Sequence, residues 1–177
     1  DAPEQVHRLL TRSAEAITML QREQLKIIPQ VMGGTPIWGT WVPGPAIFMS
    51  EDIADLCSPD IYKEFGRPYS NTLSHTFGGC WIHHHARGLH VHKEVAKVEG
   101  LKQMEISMDP NCPKPIDQLA DLYQWNGDIP VLTRGHTEDL YKNIDLMKQH
   151  RTIFMLHARD LKEAKEAIAF IRKNSTI

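Results

Sequence analysis

Short apolar runs recur along the later part of the chain at nearly even spacing: GCWIHH at 79–84, LKQMEI at 101–106, IPVLT at 129–133 and TIFMLH at 152–157. Their starts lie 22, 28 and 23 residues apart, which leaves room for one strand and one helix in each period. Strands alternating with helices at this spacing predict right-handed βαβ crossovers and a parallel sheet. The helices carry end signals. Glu99-Gly100 and Asn126-Gly127 mark two C-termini, and Asp160 followed by Glu163 forms a capping pair for the last helix.

Upstream, Val6, Leu9, Leu10, Ile17 and Leu20 recur at helical spacing, with Asp1 as N-cap, Pro3 in the first turn and Glu4 behind it. This predicts a helix of about six turns that ends before Pro29. The segment GGTPIWGTWVPGPAIF mixes apolar residues with Gly and Pro breaks, predicting a brief strand near Ile37 and then an irregular loop. SPDIYKEFGRPY supplies Ser58 as N-cap and Pro59 at the first helical position of a further helix. With the run near Ile37, the chain has five candidate strands.

Two α/β architectures fit this order, an open doubly wound sheet and a (β/α)8 TIM barrel. An open sheet concentrates its ligand at one switch point and usually carries a glycine-rich phosphate turn, but GGTPIWG lacks the G-x-G-x-x-G spacing. A barrel collects its chemistry where strands end. The expected strand ends carry Trp38 and Trp41, His83 and His85, Asp109, Arg134 and His136, and finally His157 and Arg159. The TIM-barrel type is therefore expected, with residues 1–177 forming only about the last five βα units of such a domain. Five strands cannot close an eight-stranded barrel, so the expectation is either a homo-oligomer or a missing N-terminal half. The absence of an initiator Met before a helical pattern agrees with the later part of a longer protein.

Composition narrows the function classes. The 177 residues carry a net charge of -2 with the two signs interspersed, which gives no basic footprint for nucleic acid or an anionic membrane. A small-molecule substrate is expected instead. No apolar run approaches the roughly 20 residues that span a bilayer, and three cysteines without a CxxC pair point to a reducing cytoplasm.

Five of the ten histidines fall within positions 83 to 92. Side chains alternate along a strand, so His83 and His85 point together into the mouth while His84 points away. An H-x-H pair at a strand end suits zinc, which takes three protein ligands and keeps an open position when catalytic. His157, at the end of the last strand, is the expected third ligand and also a candidate catalytic group. The alternative is a polar rim without metal. His90 and His92, at the start of the next helix, are expected at the surface.

Trp38 and Trp41 are candidates for an apolar wall against a flat ligand. Arg134 and Arg159 can take a substrate carboxylate by bidentate hydrogen bonds, with His136 beside them. Asp109 is a candidate acid or base, or else a turn residue before Pro110. Glu51 and Asp52 open a helical segment and are read as dipole partners.

The runs SEDIADLCSPDIYKEFGRPY, GGCWIHHHARGLHVHKEVAKVEGLKQMEIS and TIFMLHARDLKEAKEAIAFIRK resemble the C-terminal part of the uroporphyrinogen decarboxylase superfamily. That family includes the decarboxylase of haem biosynthesis and methyltransferases that act on corrinoid carriers. In the methyltransferase branch the corresponding strand ends in His-x-Cys, two zinc ligands completed by a late Cys. Here His83 matches the His, His85 stands where the Cys would be, and His157 stands roughly where the late Cys would be. The resemblance implies metal-assisted methyl transfer, with a corrinoid protein as partner. Decarboxylation of a porphyrinogen is the alternative within the family, where a His at the place of His157 belongs to the pocket. A metal-dependent hydrolase and a non-catalytic partial-barrel subunit or fragment are the alternatives outside it.

Overall fold

The computed structural model describes residues 2–28 and 30–175. Helix α1 (Pro3–Ile27) comes first, while the expected cap at Asp1 lies outside the described residues. A hairpin follows, β1 (Gly34–Ile37) and β2 (Thr40–Pro43), joined through Trp38 and Gly39. Strand β3 (Ile47–Ser50) leads through a 3-10 segment (Asp52–Leu56) into α2 (Pro59–Ile61), a π turn (Tyr62–Gly66) and α3 (Arg67–Phe77). Ser58 caps α2, its hydroxyl accepting the Ile61 amide. Four strand-helix units complete the chain: β4 (Cys80–His85) with α4 (His92–Val95), β5 (Leu101–Ser107) with α5 (Leu119–Asn126), β6 (Val131–Gly135) with α6 (Thr137–Met147), and β7 (Thr152–Leu156) with α7 (Leu161–Asn174). The Asp160 carboxylate caps α7 by accepting the Glu163 amide.

Strands β3 to β7 form one parallel sheet of five strands, each beside its neighbour in sequence. This order contains no reversal point of the kind where open doubly wound sheets bind ligands, and it is compatible with part of a barrel. The first strand of the sheet differs from the expected one. The segment near Ile37 pairs only within its own hairpin, and the sheet begins with Ile47–Ser50, inside the stretch expected to be irregular. Gly44 and Pro45 directly before this four-residue strand hide its apolar alternation from a window-based reading.

The two faces of the sheet are covered differently. Cys80 and Ile82 pack on one face against Tyr62, Leu73, Phe77, Val91 and Val95 of the helices. Ile106 and Val131 continue that face against Leu122 and Leu140. On the other face Trp81 and Leu132 pack against Ile37, Val42 and Ala46, so the hairpin covers the side that a barrel would turn inward. Trp81, Leu132 and Val42 are fully buried there, and removing a side chain such as Leu132 from water stabilises by about 2 kcal/mol. Helix α1 buries only Ala14 and leaves Leu9 and Leu20 outward.

Alternation along β4 sends His84 to the helix face, where it is fully buried. Its Nε2 lies 2.7 Å from His92 Nδ1, and His92 Nε2 donates to Asn126 Oδ1 at 2.6 Å. The expectation that His92 is a surface residue is corrected: it is fully buried at the start of α4, because this chain of hydrogen bonds replaces its water. Burial disfavours the imidazolium, pushing His92 down from 6.5 to about 4 and His84 well below its ordinary value.

The unfolded chain therefore takes a proton at His92 near pH 6.5, and the folded chain only near about 4. Stability should fall as pH drops through that window, by about 2 kcal/mol between about pH 7.5 and about pH 5 from this residue alone. Urea unfolding of wild type and His92→Gln at about pH 7.5 and about pH 5 measures it. The wild type should lose more stability on acidification than the variant, and equal losses would contradict the account.

Candidate metal centre

His83 and His85 project from the C-terminal end of β4 onto the hairpin face, two positions apart on one side of the strand. Ser50 of β3 pairs in register with His83, so the chain leaving β3 brings Asp52 to the same end of the sheet. Asp52 Oδ1 lies 3.3 Å from His83 Nε2 and 3.4 Å from His85 Nε2, and the two Nε2 atoms are 3.2 Å apart. The Ser50 hydroxyl donates to Asp52 Oδ1 at 2.7 Å and fixes its direction.

Each imidazole is held from behind by a carboxylate. His83 lies opposite Glu105 in the β4–β5 register, and its Nδ1–H donates to Glu105 Oε2. The Nδ1–H of His85 donates to Asp109 Oδ1 at 2.8 Å, and the Arg87 backbone N–H donates to the other Asp109 oxygen at 2.9 Å. With protons on both Nδ1 atoms, the Nε2 lone pairs face each other and Asp52 Oδ1. Three acceptors at this separation repel one another until a cation or an added proton joins them. Imidazole backed by carboxylate is also the usual support of metal-binding histidines.

Glu105 is fully buried, and its second oxygen accepts from Ser107 Oγ and Arg134 Nε, both at 2.9 Å. Burial pushes its carboxyl up, but the hydrogen bond from His83, with Ser107 and the Arg134 charge, outweighs this and holds it below the ordinary value. For Asp109 burial also acts upward and is outweighed by the Arg87 amide and by His85, so it too is held low. Both carboxylates therefore stay ionised at neutral pH.

Trp38 forms the wall of the site. Its ring lies 4.9 Å from that of His83, 5.6 Å from Phe48 and 5.9 Å from the Arg134 guanidinium. The backbone places it there through a tight turn in which Trp38 (φ 47°) and Gly39 (φ 75°) are both left-handed, as a two-residue hairpin turn requires. Such a conformation costs a bulky residue about 1 kcal/mol or more and is typical of functional positions.

The remaining sequence candidates fall elsewhere. Trp41 turns onto its own hairpin, its Nε1–H donating to the Val31 carbonyl. The third place beside His83 and His85 is taken by Asp52; His157 lies next to His136, with ring centroids 5.9 Å apart. His136 itself donates from Nδ1 to the His157 carbonyl at the start of α6. Arg159 forms a two-pronged pair with Glu163, both contacts at 3.1 Å, at the start of α7. Sequence reading missed Asp52 and Glu105. The signal for Asp52 was AIFMS read as a strand, which puts Asp52 just past a strand end like the histidines. Glu105 was findable from the parallel pairing of the two expected strands, since it faces the same side as His83.

The donor set fits zinc. Ligands about 2.0–2.1 Å from a tetrahedral ion lie roughly 3.3–3.4 Å apart, and the three observed separations of 3.2 to 3.4 Å agree. Two imidazoles and one carboxylate are also a recognised set for divalent metals with open positions. Comparison of the chain with known proteins found no matching family model, no matching curated protein and no matching solved structure.

If Glu105 supports the site through His83, Glu105→Gln should weaken zinc binding by roughly 10- to 100-fold while far-UV circular dichroism stays native. A competition titration with a chromophoric chelator reads this directly. Unchanged affinity in a folded variant would remove Glu105 from the site.

Proposed function

We propose that this chain is the C-terminal part of a (β/α)8 barrel enzyme of the uroporphyrinogen decarboxylase superfamily, and that it catalyses metal-assisted methyl transfer linked to a corrinoid carrier. The observation that carries the metal reading is the convergence of His83 Nε2, His85 Nε2 and Asp52 Oδ1, with both imidazoles oriented by carboxylates. The family and the reaction rest on the motif resemblance given above. A bound zinc would act as a Lewis acid that lowers the pKa of a thiol or water.

The chain's own residues supply the rest. Glu105 and Asp109 keep the Nδ1 protons in place, so the Nε2 lone pairs remain available as ligands. Trp38 covers one side of the site and limits access by water, while Asp52, half exposed, leaves the other side open. Missing barrel strands would extend the sheet from its outer strands β3 and β7.

One observation favours a second reading. The third donor is a carboxylate where the methyltransferase branch has Cys, giving an all-nitrogen-and-oxygen set like that of hydrolytic zinc sites. Zinc content of the purified protein tests the part that both readings share. Wild type should hold one zinc per chain, and His83→Ala should hold none. Equal and negligible zinc in both would overturn the proposal. Zinc-dependent loss of methyl from methylcobalamin to an added thiol then supports methyl transfer, and zinc-dependent ester hydrolysis without it supports the hydrolase.

A further inference from the structure

Arg134 is half engaged. Its Nε–H is spent on Glu105, yet its two terminal nitrogens make no hydrogen bond or ion pair among the described residues. The side chain is 27% exposed, so these donors are accessible at the C-terminal end of β6. Glu105 accepts from both His83 and Arg134, and being fully buried it has little freedom to move. One fixed carboxylate therefore sets the guanidinium relative to the metal trio. Trp38 touches both, its ring centroid 4.9 Å from that of His83 and 5.9 Å from the Arg134 guanidinium.

Charge limits what can bind here. Asp52, Glu105 and Asp109 bring three negative charges, and Arg134 brings one positive. With neutral imidazoles the cluster has two negative charges in excess, which repels anions. A divalent cation on the trio brings it to neutrality and leaves the planar donor fork of Arg134 facing the opening.

We propose that the substrate of this site is a small carboxylate with an adjacent oxygen donor, its carboxylate clamped by Arg134 against Trp38 while the neighbouring oxygen meets the metal trio. The inference rests on the metal reading above and adds the substrate class. It also makes anion binding conditional on the metal, because the carboxylates outnumber the guanidinium without it.

Calorimetric titration with glycolate and its neutral analogue glycolamide tests this on zinc-loaded and zinc-free protein. Zinc-loaded wild type should bind glycolate about tenfold or more tightly than glycolamide, and zinc-free protein should bind neither. Arg134→Gln should abolish the preference for glycolate with zinc stoichiometry unchanged, and Arg134→Lys should keep part of it. If Arg134→Gln does not fold, the wild-type comparison and Arg134→Lys decide. Equal binding of the two probes by zinc-loaded wild type, or a preference surviving in Arg134→Gln, overturns the substrate class and leaves the metal reading standing. Failure to bind zinc at all overturns both.

Discussion

The pairing of His83 with Glu105 across β4 and β5 organises the site. A fully buried carboxylate is strongly unfavourable unless its oxygens are paired. Glu105 is paired on both, by His83 on one oxygen and by Ser107 and Arg134 on the other. The same contacts fix the His83 tautomer and, through Arg134, the orientation of the next strand's functional side chain. A slip of one residue in β4 would turn His83 and His85 to the helix face, part the His85–Asp109 pair and take Trp81 off the hairpin. The register is thus specified by the His85–Asp109 pair and by the apolar packing of Trp81.

Alternation along β4 builds two histidine systems on opposite faces of one strand. On the helix face His84 and His92 are buried, held neutral and joined to Asn126, with no carboxylate in their chain of hydrogen bonds. On the hairpin face His83 and His85 meet carboxylates both behind and in front. The first arrangement disfavours any added charge; the second accumulates negative charge and favours a cation. Adjacent histidines of one strand thereby sit in opposite electrostatic surroundings.

The periodic part of the fold was legible in the sequence because each strand-helix unit repeats a strong local pattern, and four of the five sheet strands fall where the apolar runs place them. The first strand was not, since four residues next to Gly-Pro carry too little periodicity. The same error hid Asp52: placed in a loop, it reads as a helix-dipole residue, whereas placed after a strand it joins the histidines. His92 was misread because local polarity says nothing about a partner 34 residues away at Asn126. The H-x-H pair was legible because strand alternation is a local rule, but the identity of the third group depends on sheet order, which is not local.

The central claim is a divalent metal centre built from nitrogen and oxygen donors alone. X-ray absorption at the zinc edge on the zinc-loaded protein tests it most directly. The account predicts a first shell of nitrogen and oxygen at about 2.0–2.1 Å with the outer-shell scattering of two imidazoles. A sulfur shell near about 2.3 Å, or the absence of imidazole scattering, would contradict it.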